Sequence, residues 1–264
     1  MLQDRIALIT GGGRGIGQVT AVEMAKRGAQ GIAVTDVNRE GGEETVKLVR
    51  EAGGEAEFFE CDLRDSTAIE ALMPAVAERF GGIDILHNNA GLQETTLTDE
   101  SAVHTLSEEV WDAVMDVNLK AMWLTTKFAT PFLRESEGAS IVNCSSLSGL
   151  IAFPMGPAYS ASKGGVLTLT QATALDLAEF GIRCNCYSPG VVDTPMSRKY
   201  IEMAPDKDAA ERILTRSHLI PRMGQPIEIA RLVCFLASDE SSFMTGANYV
   251  IDGGSMAWRG TRDA

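Results

Sequence analysis

The chain has 264 residues, 45% hydrophobic and 22% charged, an ordinary globular balance that excludes disordered, collagen-like and disulfide-scaffold classes. Lys and Arg number 23 against 36 Asp and Glu, a net charge of −13, and with no basic block to neutralise a phosphate backbone, nucleic acid is excluded as a partner. No uncharged apolar stretch approaches the ~18 residues of a membrane span, and the first residues lead straight into Ile6 to Ile9, so no membrane association is expected and the expected location is cytoplasmic.

Short β-branched runs alternate with amphipathic stretches from end to end, the pattern of strand and crossover-helix units. Strands are expected at Ile6 to Ile9, Gly31 to Thr35, Ala56 to Phe59, Ile83 to Leu86, Ser140 to Asn143, Arg183 to Tyr187 and Asn248 to Ile251. Helical patterns fall at 15–28, 39–52, 66–80, 107–134, 157–180 and 226–238, several ending at a glycine (Gly28, Gly53, Gly81, Gly181) suited to a left-handed cap. These features predict an α/β fold: one doubly wound, Rossmann-like domain over residues 1–264, with a seven-stranded parallel sheet and helices on both faces. The stretch 192–224 reads as one long irregular loop, of a length that is usually functional or mobile. Five cysteines (61, 144, 184, 186, 234) lack the paired spacing of a zinc site, so buried reduced thiols and no metal are expected.

Directly after the first strand, Thr10-Gly11-Gly12-Gly13-Arg14-Gly15-Ile16-Gly17 opens a helix. Glycine permits the tight turn and the close approach of a ligand, and a pyrophosphate there would meet free N–H groups at the positive end of the helix. Asp36 ends the second strand 19 residues beyond Gly17, where a carboxylate can accept hydrogen bonds from both ribose hydroxyls of an adenosine. Its charge would repel a 2′-phosphate, which favours NAD over NADP. Arg14 and Arg39 could each reach such a phosphate, whereas Val37, directly after the aspartate, supplies no basic group.

Further along come Asn88-Asn89-Ala90-Gly91, Tyr159-Ser160-Ala161-Ser162-Lys163 and Ser188-Pro189-Gly190. Together with the glycine turn, in this order and across nearly the whole chain, these motifs resemble the classical short-chain dehydrogenase/reductase family. The resemblance implies hydride exchange between a nicotinamide cofactor and an alcohol or carbonyl, driven by an Asn-Ser-Tyr-Lys tetrad. The matching positions are Asn118, Ser146, Tyr159 and Lys163. Ser146 is chosen by its thirteen-residue spacing to the tyrosine, with Ser145 and Ser148 as alternatives. The resemblance also implies that Asp62, with Leu63 beside it, meets the adenine edge, though Asp62 equally fits a cap for the helix at Ser66. Asn89, Ala90 and Gly91 would line the adenosine side. Pro189, Gly190 and Thr194, with the backbone of Val192, would hold the nicotinamide carboxamide. By the same likeness Asn118 would kink its helix and help a water relay reach Lys163, and the chain would form a homotetramer through the helices at 107–134 and 157–180 and the last strand.

Tyr159 and Lys163 are four apart and share a helix face. A phenol with a pKa near 10 is a poor base at neutral pH, but an adjacent ammonium and an oxidised nicotinamide favour the phenolate. Lowering its pKa by roughly 2–3 units takes about 3–4 kcal/mol. Position in the first helical turn is expected to add ~0.3–1 kcal/mol in the same direction. Tyr159 would take the alcohol proton as hydride leaves carbon, while Ser146 holds the substrate oxygen.

The resemblance implies that the segments after Ser146, after Gly190 and after Gly91 (Leu92-Gln93-Glu94) set the substrate, with Ile151, Met155, Met196 and Tyr200 among the pocket residues; these segments are mostly apolar and suit a hydrophobic or cyclic secondary alcohol or ketone, hydroxysteroid-like substrates included. Between Gly91 and Trp111 the chain has 19 residues, longer than is common in the family. His104 in that segment reads as a surface residue. Two other functions stay open. A 3-oxoacyl carrier-protein reductase would want NADPH and a basic docking patch, and a non-catalytic NAD-binding sensor would not need an intact tetrad.

Overall fold

The computed structural model describes residues 1–258; the last six residues of the expected domain, 259–264, lie outside the described residues. The chain runs β1 (Ile6–Thr10), α1 (Gly15–Lys26), β2 (Gly31–Asp36), α2 (Arg39–Glu51), β3 (Ala56–Glu60), α3 (Ser66–Phe80), β4 (Ile85–Asn88), α4 (Glu108–Met115), α5 (Ala121–Leu133), β5 (Ser140–Cys144), α6 (Pro157–Leu177), β6 (Arg183–Pro189), α7 (Pro195–Met203), α8 (Lys207–Arg216), α9 (Pro226–Ala237) and β7 (Asn248–Ile251). All seven strands form one parallel sheet in the order β3-β2-β1-β4-β5-β6-β7.

Alternation along the buried strands sends side chains to two cores. Ala7, Ile9, Ile32, Val34 and Val142 meet Ala21 and Met24 of α1, Val46 and Val49 of α2 and Ile229 and Val233 of α9. Leu8, Ala33, Leu86 and Ile141 meet Ile69 and Val76 of α3, Leu124 and Leu133 of α5 and Ala174 of α6. Both faces are therefore covered, and the expected doubly wound sheet is what the chain forms. Gly28, Gly53, Gly81 and Gly181 all adopt positive φ just past a helix, the left-handed exit predicted for them. All five cysteines are free and buried; burial pushes Cys61 and Cys186 up to about 11 and Cys234 up to about 12, which keeps these thiols protonated and unreactive.

Three expectations change. The fourth strand is Ile85–Asn88 and not 83–86, because Asp84 is used before the ladder begins: its backbone N–H donates to Ile6 O and its carboxylate accepts from Ile6 N–H at 2.6 Å. The helix expected over 107–134 is interrupted by a π turn at Asp116–Lys120. The stretch 192–224 is not irregular, since α7 and α8 occupy most of it, capped by Thr194 and Asp206 side chains respectively; its short helices carry Met and charge without the long periodic stripe that identified the others.

The strand order reverses between β1 and β4. Successive connections leave opposite sides there, so the carboxyl ends of these strands frame a crevice, the usual ligand position of open α/β sheets.

Candidate active site

Steric contacts within the chain require glycine at several positions of the turn. Gly11 has φ +62°, and a Cβ on it would lie 2.7 Å from the Ala90 Cα, so only glycine lets this turn abut the 88–91 segment. A Cβ on Gly17 would lie 2.3 Å from Gly11 O. Gly15, φ +59°, faces Thr194 across the cleft, and Ile16 packs into the core. Arg14, extended and exposed, makes no side-chain cap for α1, and no acidic residue stands in the first turn. The N-terminal amides of α1 thus stay open to an anion.

Asp36 ends β2 with its carboxylate against this turn, accepting from the N–H groups of Gly13 and Asn38 at 3.0 Å each. Asp62 is bound to Arg64 at 2.7 Å, which lowers its pKa, and the cap of α3 is Asp65, accepting from Thr67 and Ala68 N–H. That removes the capping alternative for Asp62. Leu63 and Ala90 line one small cavity with Thr10 and Asn88. Asn89 acts as a joint: its Nδ2 donates to Thr10 O and Gly11 O at 3.0 Å, while Asn89 and Ala90 N–H donate to Thr10 Oγ1. A Cβ on Gly91 would lie 3.5 Å from Asn118 Oδ1 and 3.6 Å from Lys163 Nζ, so the Asn89–Gly91 segment leads directly to two of the tetrad positions.

The four tetrad positions come together at the carboxyl ends of β4 and β5. Asn118 is wholly buried in the π turn. Its Oδ1 accepts from Leu92 N–H at 2.7 Å and its Nδ2 donates to Leu92 O and Ser162 Oγ at 2.8 and 3.1 Å. Lys163 is buried with Nζ donating to Cys144 O at 2.7 Å and standing 5.7 Å from the Tyr159 ring centre. Ser146 follows β5, and its hydroxyl acts on the Tyr159 phenol. Ser145 is buried with its hydroxyl donating to Lys163 O, and Ser148 meets Ser146 through its backbone N–H, which donates to Ser146 Oγ.

With no nicotinamide beside it, the Tyr159 phenol resists ionisation. Burial pushes its pKa well above 10, opposed by Ser146 and reinforced by Cys144 and Glu94, and burial pulls Lys163 down. The helix end also works against expectation. Glu94 is completely buried, and its carboxylate accepts from Ala158 N–H at 2.8 Å and Tyr159 N–H at 3.1 Å. The amides that would favour a phenolate are already satisfied by the Glu94 carboxyl group.

Beyond the tetrad, Pro189 and Gly190 leave β6 beside Asp252, and a Cβ on Gly190 would lie 3.1 Å from His218 Nε2. His218, buried after α8, accepts from Val191 N–H at 3.3 Å. Val192 bridges Gly224, and its carbonyl accepts from the Ser197 hydroxyl. Thr194 caps α7 in a reciprocal pair with Ser197. The pocket candidates lie on two flanking segments: Ile151 and Met155 before α6, Met196 and Tyr200 on α7. Met155 and Tyr200 are exposed, as are Leu150, Phe153 and Met203 beside them. Lys199 on α7 donates to Thr96 O, so α7 closes against the 3-10 turn Glu94–Thr96. His104 is exposed, as expected.

No sequence signal marks His218, and Glu94 is placed by sequence only in a substrate segment, not at the N-terminus of α6. Each acts on residues 27 to 65 positions away, and neither sits in a local pattern.

A family profile described as enoyl-(acyl carrier protein) reductase matches residues 11–256. The chain belongs to the classical short-chain dehydrogenase/reductase family. The chain is 38% identical over 253 residues to a 3-oxoacyl-[acyl-carrier-protein] reductase of Thermotoga maritima, covering 96% of this chain and 98% of that protein. A cyclopentanol dehydrogenase of Comamonas sp. is 36% identical over 256 residues, with 97% and 98% covered. The crystal structure of levodione reductase superposes with a TM-score of 0.91 at 33% identity, covering 98% of this chain and all of that one. The protein is accordingly an oxidoreductase of a family that uses NAD(H) or NADP(H). Among the described residues no helix is long and apolar enough to cross a membrane.

Proposed function

We propose that this single-domain protein is an NAD-dependent dehydrogenase interconverting an apolar or cyclic secondary alcohol and its ketone, with Tyr159 as general acid and base. The observation that carries the reading is the convergence of Tyr159, Lys163, Ser146 and Asn118 beside Gly91, at the strand ends where the glycine turn opens. A bound nicotinamide would supply the hydride acceptor and, when oxidised, a positive charge near the phenol. The chain's own residues do the rest. Ser146 holds the substrate oxygen, Tyr159 takes or gives its proton, and Lys163, anchored on Cys144 O, sets a cation beside the ring. Asn118 fixes Leu92 and Ser162 around them.

NAD is favoured by the Asp36 carboxylate and by the state of Arg39, which is paired with Glu60 at 2.5 Å and Glu43 at 3.3 Å. Val37 is exposed and uncharged. The apolar flanks of the cleft and the cyclopentanol dehydrogenase relative favour a cyclic alcohol. A 3-oxoacyl carrier-protein reductase is the second reading, prompted by the Thermotoga relative; it requires NADPH preference. A homotetramer is supported by large apolar side chains exposed on the elements expected to pack: Trp111 on α4, Trp123 on α5, Leu175 on α6, Phe243 ahead of β7 and Val250 on β7. Cytoplasmic location is part of the same reading.

The test is cofactor reduction with NAD and with NADP against cyclic, steroid, aliphatic and polyol alcohols. Faster turnover with NAD and a cyclic or steroid alcohol is expected. Equal or better use of NADP refutes the cofactor assignment.

A further inference from the structure

The first turn of α6, which carries Tyr159, has no cap of its own. Gly156 stands at the N-cap without a side chain, Pro157 follows it, and the residue before, Met155, enters at φ +62°, a conformation that L side chains rarely adopt. The missing acceptor comes from 64 residues earlier, where the Glu94 carboxylate receives the N–H groups of Ala158 and Tyr159.

The Tyr159 backbone is held at its other end as well. Ser162 Oγ donates to Tyr159 O at 2.8 Å, and the same hydroxyl accepts from Asn118 Nδ2. Asn118 in turn pairs with both backbone groups of Leu92, two residues before Glu94. A closed circuit therefore runs from the tyrosine amide through Glu94, Leu92, Asn118 and Ser162 back to the tyrosine carbonyl. An exposed carboxylate would serve as a cap equally well; this one is wholly buried, an arrangement that costs free energy unless amides and the helix dipole compensate it.

We propose that Glu94 is a positioning residue for the reaction: its buried carboxylate clamps the Tyr159 backbone so that the phenol is correctly placed, and its negative charge adds to what holds the proton on that phenol. This rests on the assignment of Tyr159 as acid and base. The titratable groups facing the phenol are Lys163 on its own helix, Cys144 on β5, Tyr187 on β6 and Glu94 from the 3-10 turn. Glu94 is the one carboxyl group among them, so removing its charge acts in a single direction, toward easier ionisation.

The experiment compares wild type with Glu94→Gln, Glu94→Ala and Tyr159→Phe, using NAD and the alcohol of the panel above that the wild type oxidises fastest. Glu94→Gln keeps an acceptor without the charge. It is expected to move the acid limb of the kcat profile to lower pH by about half a unit or more, with KM values within about twofold. Glu94→Ala is expected to lower kcat by about tenfold or more and to speed hydrogen exchange of the Ala158 and Tyr159 amides, read without ligand, by a similar factor. A Glu94→Gln profile superimposable on wild type overturns the charge role, and unchanged amide exchange in Glu94→Ala overturns the clamp. If Glu94→Ala does not fold, the Glu94→Gln profile decides alone. An active Tyr159→Phe enzyme sinks the assignment of Tyr159, whereas an inactive one with a superimposable Glu94→Gln profile sinks only the role of Glu94.

Discussion

His87 gives the protein a calculable sensitivity to acid. It lies on β4 with no exposed surface, its Nε2 3.0 Å from the Tyr187 hydroxyl on β6 and its Nδ1 without a hydrogen-bond partner. Burial pulls its pKa from the usual 6.5 down to about 3. The folded chain therefore refuses a proton that the unfolded chain accepts below 6.5. Stability from this residue is fully present above 6.5 and is lost as the pH falls toward about 3. At pH 5 the loss is about 2 kcal/mol, from RT ln(1 + 10^1.5). A His87→Leu/Tyr187→Phe double variant removes the titrating group together with its partner, so no buried phenol is stranded and stability at pH 7.5 stays within about 1 kcal/mol of wild type. Urea unfolding at pH 7.5 and pH 5 measures both proteins, and the common acid loss from other groups cancels in the difference. The double variant should gain about 2 kcal/mol on wild type between the two conditions. Equal losses in both proteins would refute the claim that His87 is held neutral by burial.

Three further outcomes follow from the site. Tyr159→Phe should keep NAD binding, followed by fluorescence titration, and lower turnover by about 10²–10⁴ fold or more, the span of a lost general acid and base; near-normal turnover would exclude Tyr159 from proton transfer. Asp36→Ala should weaken NAD by about 10–100 fold in KM, the worth of lost hydrogen bonds to a charged acceptor, and improve use of NADP. Gly11→Ala places a methyl 2.7 Å from the Ala90 backbone at φ +62° and should raise the cofactor Kd at least about tenfold, since left-handed backbone alone costs ~1–2 kcal/mol; calorimetry showing unchanged affinity would mean the turn does not form the binding surface.

Local chemistry was enough to read seven strands, the fourth of them two residues early, most helices and the glycine turn from the sequence. Period-two and period-3.6 patterns reflect which side of an element is buried, and that depends on neighbours a few residues away. The positive φ of Gly11 and Gly15 and the glycine exits of the helices follow the same local logic. So does the Tyr159 and Lys163 pair, because four residues are one helical turn. Spacing alone points to Ser146, and what separates it from the competing serines is tertiary: the Ser145 hydroxyl donates to Lys163 O. The sequence reading offers Asp62 as a cap for α3, whereas the structure gives that role to Asp65.

What tertiary structure alone decided is the environment of the reacting groups. Nothing within a few residues of Tyr159 reveals that burial resists its ionisation, that the helix end beneath it is occupied by Glu94, or that Asn118 spends both ends of its amide on Leu92. Electrostatic energies depend on distance through space and on the exclusion of water, and both are set by which distant segments the sheet brings together. Residue identity and spacing therefore determined which chemistry this chain can carry, and packing determined the protonation states and positions from which that chemistry starts.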